Sequence, residues 1–363
     1  MSTPEESLTS PKSVVLVIGQ FQPGAHGFAF EAWEKINAVY TDNVRRDYTS
    51  KHDTVEAALG EPLLEPIQLD DKDDAGSSEF RRALYEKLRQ LDVWGIVSCC
   101  TAENSSKLLQ VLEPIDIPVL IALDNTVARA AVTRPNVLQL IPNNALQAQA
   151  ILSKVGAPFP DGNDKIIVNV YLWPAQNEFV RDLWKALQEK SNETQNSNIT
   201  LNQITVGSTL REVGANLKEQ DVIVYIGYYD GLEELISLVK TEKLILSDAC
   251  HERRAQDLMA RNNRSYYLSK PSLDPSLYAC DGYLALTKVW LESGRRSVDC
   301  PLTERLMAPA LLVRSHMETL FSSYRFVGAT NQSGGYIVRK VSHSVSRQDS
   351  PTNNDYSPTN YES

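Results

Sequence analysis

The sequence predicts an α/β protein made of two Rossmann-like parallel-sheet lobes joined by three crossovers. Three observations carry that reading. Apolar, β-branched runs alternate with amphipathic helical stretches along nearly the whole chain, and the alternation restarts near Pro142-Asn143-Asn144. The length, 363 residues, also exceeds the roughly 250–300 residues at which a single core stops growing. Repeated βα units with short connections fold as parallel sheets with helices on both faces.

Residues 14–18 form a β-branched run, the first strand. Residues 28–40 follow as a helix, with Ala29, Trp33, Ile36 and Tyr40 on one face. Residues 63–69 read as the second strand. Phe80, Leu84, Leu88 and Leu91 then mark a helix for which Ser77 or Ser78 is an N-cap. Strands at 93–98 and 118–123 flank a helix that buries Leu108, Leu109 and Leu112. After the restart come a helix at 145–155, a strand at 165–172 and a helix at 179–187 carrying Val180, Leu183 and Trp184. Strands at 199–206, from Asp221 onward and at 243–246 continue the series. Helices at 277–291 and 301–321, the second broken at Pro309, precede short closing strands at 324–327 and 336–341. The expected first lobe is 13–141 plus 273–325, and the second 142–272 plus 326–341, with crossings near Pro142, Pro271 and Phe326. The polar segments 1–12 and 342–363 read as disordered tails.

Composition excludes several classes. The net charge of −10 repels phosphate backbones, and no Lys/Arg stripe offsets it, so no nucleic-acid partner is expected. No apolar run approaches the roughly 18 residues of a membrane span, so no direct membrane insertion is expected. The first seven residues, Met1 to Ser7, are acidic and polar and do not read as a secretory signal. The expected location is cytoplasmic, or periplasmic if the N-terminus is incomplete. The cysteines at 99, 100, 250, 280 and 300 form no CxxC pair and are odd in number, which suits reduced thiols.

Catalytic signatures are absent: there is no GxSxG elbow, no phosphate loop, no GxGxxG after the first strand and no HExxH. No catalytic residue, metal site or cofactor is expected. Cys99-Cys100 at a strand end offers a thiol nucleophile as one alternative, against buried cysteines acting as small hydrophobes. His251-Glu252 near Asp248 reads as a solvated helix start rather than an acid–base pair.

The strand ends read as a recognition surface. The segment 221–236 is an apolar run closing in Gly227-Tyr228-Tyr229, followed at once by a helix. Cys100 and Thr101 close one strand and open a helix, and Asp124-Asn125-Thr126 do the same one strand later. Trp173 and Tyr228 add aromatic surface, and Asp248 a carboxylate. All lie at strand carboxyl ends, split between two lobes, where open α/β sheets bind ligands.

These features resemble the type I periplasmic-binding-protein fold, in the branch of leucine/isoleucine/valine-binding and amide-binding proteins. The resemblance runs from about residue 14 to 341. It is carried by 31–38 (EAWEKINA), Asp70-Asp71, 94–126, 143–151, the 221–236 block and the turn at 326–330 (FVGAT). It implies that Thr101 and its neighbours form a first anchoring loop and Asp124, Asn125 and Thr126 a second. It implies that Trp173 belongs to an aromatic wall, that Tyr228 faces the ligand and that Asp248 lies near an acid that holds an ammonium. Two positions depart from the family pattern. Cys99-Cys100 replaces a serine-rich turn, and Asp124-Asn125 replaces small residues whose backbone meets a ligand carboxylate. A carboxylate beside Asp124 is repelled by roughly 4 kcal/mol at 4 Å for an effective dielectric of 20. A neutral amide, a polyol or a cationic ligand fits Asp124 better.

The expected function is a non-enzymatic binding protein that closes two lobes on an amino-acid- or amide-like polar ligand. It would act as a sensor that passes closure to a regulatory protein partner. The alternatives are the substrate-binding component of an ABC-type amino-acid transporter and a cysteine-dependent enzyme. A DNA-binding repressor of this fold would need a helix-turn-helix ahead of residue 14, and the dozen residues there leave no room for one.

Overall fold

The computed structural model describes residues 13–21, 29–50, 63–69, 75–126, 134–156, 166–193, 198–204, 221–241, 243–250, 253–292, 326–327, 330–331 and 335–341. The expected tails, the helix at 301–321 and His251-Glu252 lie outside the described residues.

The first half runs β1 (Ser13–Gly19), α1 (Ala29–Ser50), β2 (Leu63–Gln68), α2 (Ser78–Gln90), β3 (Asp92–Cys99), α3 (Ala102–Val111), β4 (Val119–Ile121) and β5 (Val137–Gln139). The second continues with α4 (Asn144–Gly156), β6 (Ile166–Trp173), α5 (Glu178–Ser191), β7 (Ile199–Ile204), β8 (Val222–Gly227), α6 (Tyr229–Leu238), β9 (Leu244–Leu246), a 3₁₀ turn (Asp248–Cys250), α7 (Arg253–Arg261) and β10 (Tyr266–Pro271). The chain then forms α8 (Pro275–Glu292), β11 (Phe326–Val327), β12 (Thr330–Asn331) and β13 (Tyr336–Val341).

Two sheets result, ordered β2-β1-β3-β4-β5-β12-β11 and β7-β6-β8-β9-β10-β13. From β1 to β5 and from β6 to β10 every pairing is parallel. The final strands β11 and β13 pair antiparallel, on β12 and β10. In each sheet the strand order reverses once, between β1 and β3 and between β6 and β8. That reversal opens a crevice at the strand carboxyl ends.

Strand period explains the packing of the second sheet. Val168, Val170, Leu172, Val224 and Ile226 face α4 and α5, where Ile151, Val155, Val180 and Leu183 meet them. Their alternates Tyr171, Ile223 and Tyr225 face α6 and α7, through Leu232, Leu235 and Met259. Both faces are apolar because both are covered, which is why these strands read as continuous apolar runs. In the first sheet, β1 (Val14–Ile18) is buried with Ile96, Val97, Tyr278, Tyr283 and Leu286. Helix α8 thus packs on the first core, and the Tyr283 ring stands edge-on to Tyr40 with centroids 6.3 Å apart.

One boundary needs correction. Residues 326–327 and 330–331, expected in the second lobe, pair into the first sheet: Thr330 is in register with Gln139, and Asn331 Nδ2 donates to the Leu140 carbonyl (2.8 Å). The chain enters the second sheet only at Tyr336. The physical reason is that strands of two residues, joined by a side-chain bond to the carbonyl just after β5, leave no signature in periodicity. Among the described residues, no helix is long and apolar enough to cross a membrane.

Candidate functional site

The carboxyl ends of the two sheets meet around a cavity of about 110 Å³. The first sheet contributes Gln20 after β1, Cys99 at the end of β3 with Cys100 and Thr101 after it, Asp124 and Asn125 after β4, and Ile141 after β5. The second contributes Phe179 from the first turn of α5, Tyr228 after β8, and Asp248 and Ala249 after β9. Nearby, Ser106 of α3 donates to the Glu178 carboxylate of α5 (2.9 and 3.0 Å), so the two lobes touch beside the cavity.

Thr101 is the N-cap of α3, in extended backbone, yet its side chain makes no capping bond. It is exposed. The start of α3 therefore opens towards the cavity without a side-chain cap from Thr101. Tyr228 stands in the same position at the start of α6, also without a capping side-chain bond.

Asp124 is 2% exposed. Its Oδ1 accepts from the backbone N–H of Thr126 (2.8 Å) and from the Thr126 hydroxyl (2.7 Å). Its Oδ2 is buried and has no hydrogen-bond partner among the described residues. Burial pushes the carboxyl up to about 7, against the lowering effect of the Thr126 bonds and the nearby Ser105 hydroxyl. A lone unsatisfied buried oxygen costs roughly 1–3 kcal/mol, more when charged. Among the described residues lining the cavity, Asp124 is the one with a buried side-chain oxygen left without a hydrogen-bond partner.

Asp248 is the opposite case. Its Oδ1 accepts from Gln147 Nε2 (2.9 Å), and its Oδ2 accepts from Asn125 Nδ2 (3.0 Å) and the Tyr336 hydroxyl (2.9 Å). Asn125 Nδ2 also reaches the Tyr336 oxygen (2.8 Å). This buried cluster ties the β4 loop of the first sheet to β9, α4 and β13 of the second. Burial lifts Asp248 to about 6, and the bonds from Gln147 and Tyr336 pull it back.

The second-lobe wall is set by close packing. Tyr228 N–H donates to the Trp173 carbonyl (3.3 Å), and a Cβ on Gly227 would overlap that same carbonyl. Gly227 is glycine for close approach of two strand ends. A Cβ on Gly231 would overlap the Trp173 ring, which packs with the α6–α7 core. Tyr225 donates to the Tyr228 carbonyl. The Tyr228 and Phe179 rings sit tilted with centroids 6.1 Å apart.

Of the residues singled out from sequence, Cys100, Thr101, Asp124, Asn125, Tyr228 and Asp248 line this cavity. Thr126 does not, and serves Asp124 instead. Trp173 does not line it either: its strand parity with Tyr171 places it on the α6–α7 side, under Gly231, and Phe179 supplies the aromatic wall. Phe179, Gln20, Ile141 and Ala249 were not anticipated. The signal for Phe179 was its place in the first helical turn after a strand end, capped by Asn177 Oδ1 (2.9 Å). Both adjacent thiols are buried; desolvation drives Cys99 well above its ordinary range and Cys100 up to about 12.

Among the described residues the lining contains two carboxylates and no Lys, Arg or His. An anion 4 Å from ionised Asp124 meets roughly 4 kcal/mol of repulsion at an effective dielectric of 20. A helix N-terminus returns only about 0.3–1 kcal/mol of attraction.

This architecture is the type I periplasmic-binding-protein fold. Among solved structures, the chain is similar to a periplasmic binding protein type 1 from Bordetella pertussis (TM-score 0.66, 11% identity, covering 93% of this chain and 98% of that one). It is also similar to a leucine-binding protein from Thermotoga maritima (0.62, 13%, 84% and 88%). A third is the branched-chain amino acid transporter substrate-binding protein from Streptococcus pneumoniae in complex with isoleucine (0.61, 11%, 90% and 100%). No protein-family model and no curated protein matches the chain.

Proposed function

We propose that this chain is a non-enzymatic binding protein that closes two lobes on one small polar ligand of amino-acid-like or amide-like size. The observation that carries the proposal is the cavity at the facing carboxyl ends of both sheets, lined by Thr101 and Asp124 from one and Tyr228 from the other. Tyr228 offers a flat apolar face with a hydroxyl tip, Thr101 a hydroxyl beside a helix start, and Asp124 an acceptor. The buried, protonated thiols of Cys99 and Cys100 argue against a cysteine nucleophile, because the thiolate is the reactive form.

Two roles follow from closure. A regulatory partner that reads the closed form would make the protein a sensor. Delivery to a membrane transporter is the second reading, supported by the transporter-associated proteins that share the fold. Cytosolic residence is proposed on cysteine use alone: Cys99, Cys100, Cys250 and Cys280 are all free thiols. The test is a calorimetric screen of amino acids and short amides, repeated with Tyr228→Ala. The reading expects a hit that weakens by roughly 2 kcal/mol or more in the variant, with the fold intact by circular dichroism. A hit bound equally well by Tyr228→Ala would overturn the cleft as the site.

A further inference from the structure

We infer that the ligand of this cleft is a small amine, with one positive charge, a compact apolar body and no carboxylate. This rests on the binding-protein reading above and specifies its ligand class. The argument is one of charge and valence inside the cavity. Asp248 is already satisfied by Gln147, Asn125 and Tyr336, so it has little left to offer an incoming group. Asp124 is satisfied on Oδ1 alone, and its buried Oδ2 has no hydrogen-bond partner among the described residues. A buried carboxylate oxygen in that condition calls for a charge-assisted donor. Among the described residues the lining has no cationic side chain to supply one.

The same geometry disfavours a ligand carboxylate. The backbone N–H and hydroxyl of Thr126 both donate to Asp124 Oδ1, so neither is left for a ligand carboxylate. The openings at the starts of α3 and α6 attract an anion too weakly to offset two carboxylates. A neutral amide would give Oδ2 a donor but no charge. An ammonium gives both, and the tilted Tyr228–Phe179 pair provides the aromatic faces on which a cation and its apolar body rest. The cavity of about 110 Å³ has room for a short branched or cyclic chain.

The test is isothermal titration with three molecules that share one branched apolar body: isopentylamine, isovaleramide and leucine. Isopentylamine should bind at least about tenfold tighter than either of the others. Asp124→Asn should reduce its affinity at least about tenfold, to that of isovaleramide on the unmodified protein. The comparison on the unmodified protein stands even if the variant folds poorly. Leucine or isovaleramide binding as tightly as the amine overturns the ligand class and leaves the cleft reading intact. No binding of any of the three at millimolar concentration also overturns the class, and the cleft reading is then judged separately by the Tyr228→Ala screen.

Discussion

Replacing Asp124 by Asn should stabilise the ligand-free protein in alkaline but not in acid solution. Burial raises this carboxyl from an ordinary 3.8 to about 7, and each pKa unit is worth 1.36 kcal/mol. The folded state therefore favours the protonated acid. Its contribution to stability is complete below the unfolded pKa and is lost as pH rises through about 7, amounting to roughly 4 kcal/mol above that point. Asn keeps a carbonyl oxygen to accept from Thr126, carries no charge, and places an amide where Oδ2 was. An amide without an acceptor there costs about 1–2 kcal/mol, so a net gain of roughly 2–3 kcal/mol near pH 8 is expected. Urea unfolding of both proteins from about pH 4 to pH 8 measures it, and the constant cost of the Asn amide cancels in the pH dependence. An advantage that fails to grow with pH would refute the claim that Asp124 is a buried, under-satisfied acid. A residue that costs the empty protein stability is what a ligand-binding group looks like in thermodynamic terms.

Gly227→Ala should cost about 1–3 kcal/mol, because the new Cβ overlaps the Trp173 carbonyl; unchanged urea unfolding would show that the strand ends are looser than described. Tyr336→Phe removes one of the donors to Asp248 and should cost about 1–3 kcal/mol, more at pH 8 than at pH 4, since only the ionised carboxylate needs that donor. Removing it should also raise Asp248 beyond its present value of about 6. Cys99 and Cys100 should react with iodoacetamide only after unfolding at neutral pH; rapid, selective labelling of either in the folded protein would revive a thiol-dependent activity.

The fold was legible because parallel strands covered on both faces are unbroken apolar runs. Val14 to Ile18 and Val222 to Ile226 announce themselves that way. Strands β5 and β12 are three and two residues long, too short for any period, and the Asn331 side chain adds a bond to the Leu140 carbonyl. Thr101, Asp124 and Tyr228 could be placed on the cavity wall from sequence because each lies within three residues of a strand's carboxyl end. Phe179 could not, since it lies on the same helical stripe as the core residues Val180 and Leu183. Trp173 was misplaced because strand parity, not proximity in sequence, decides which face a side chain takes. The partners of Asp248 come from three separate segments, around 125, 147 and 336. Nothing in sequence reveals that its carboxylate is committed to holding those segments together.

The central claim, that one small molecule sits between the lobes against Thr101, Asp124 and Tyr228, is tested most directly by mass spectrometry of what natively purified protein releases. Wild type should be compared with Thr101→Trp, which fills the cavity from an exposed position. The account predicts one small molecule per chain in the wild type and its loss from the plugged variant. The same molecule retained at the same stoichiometry by the plugged variant would contradict it.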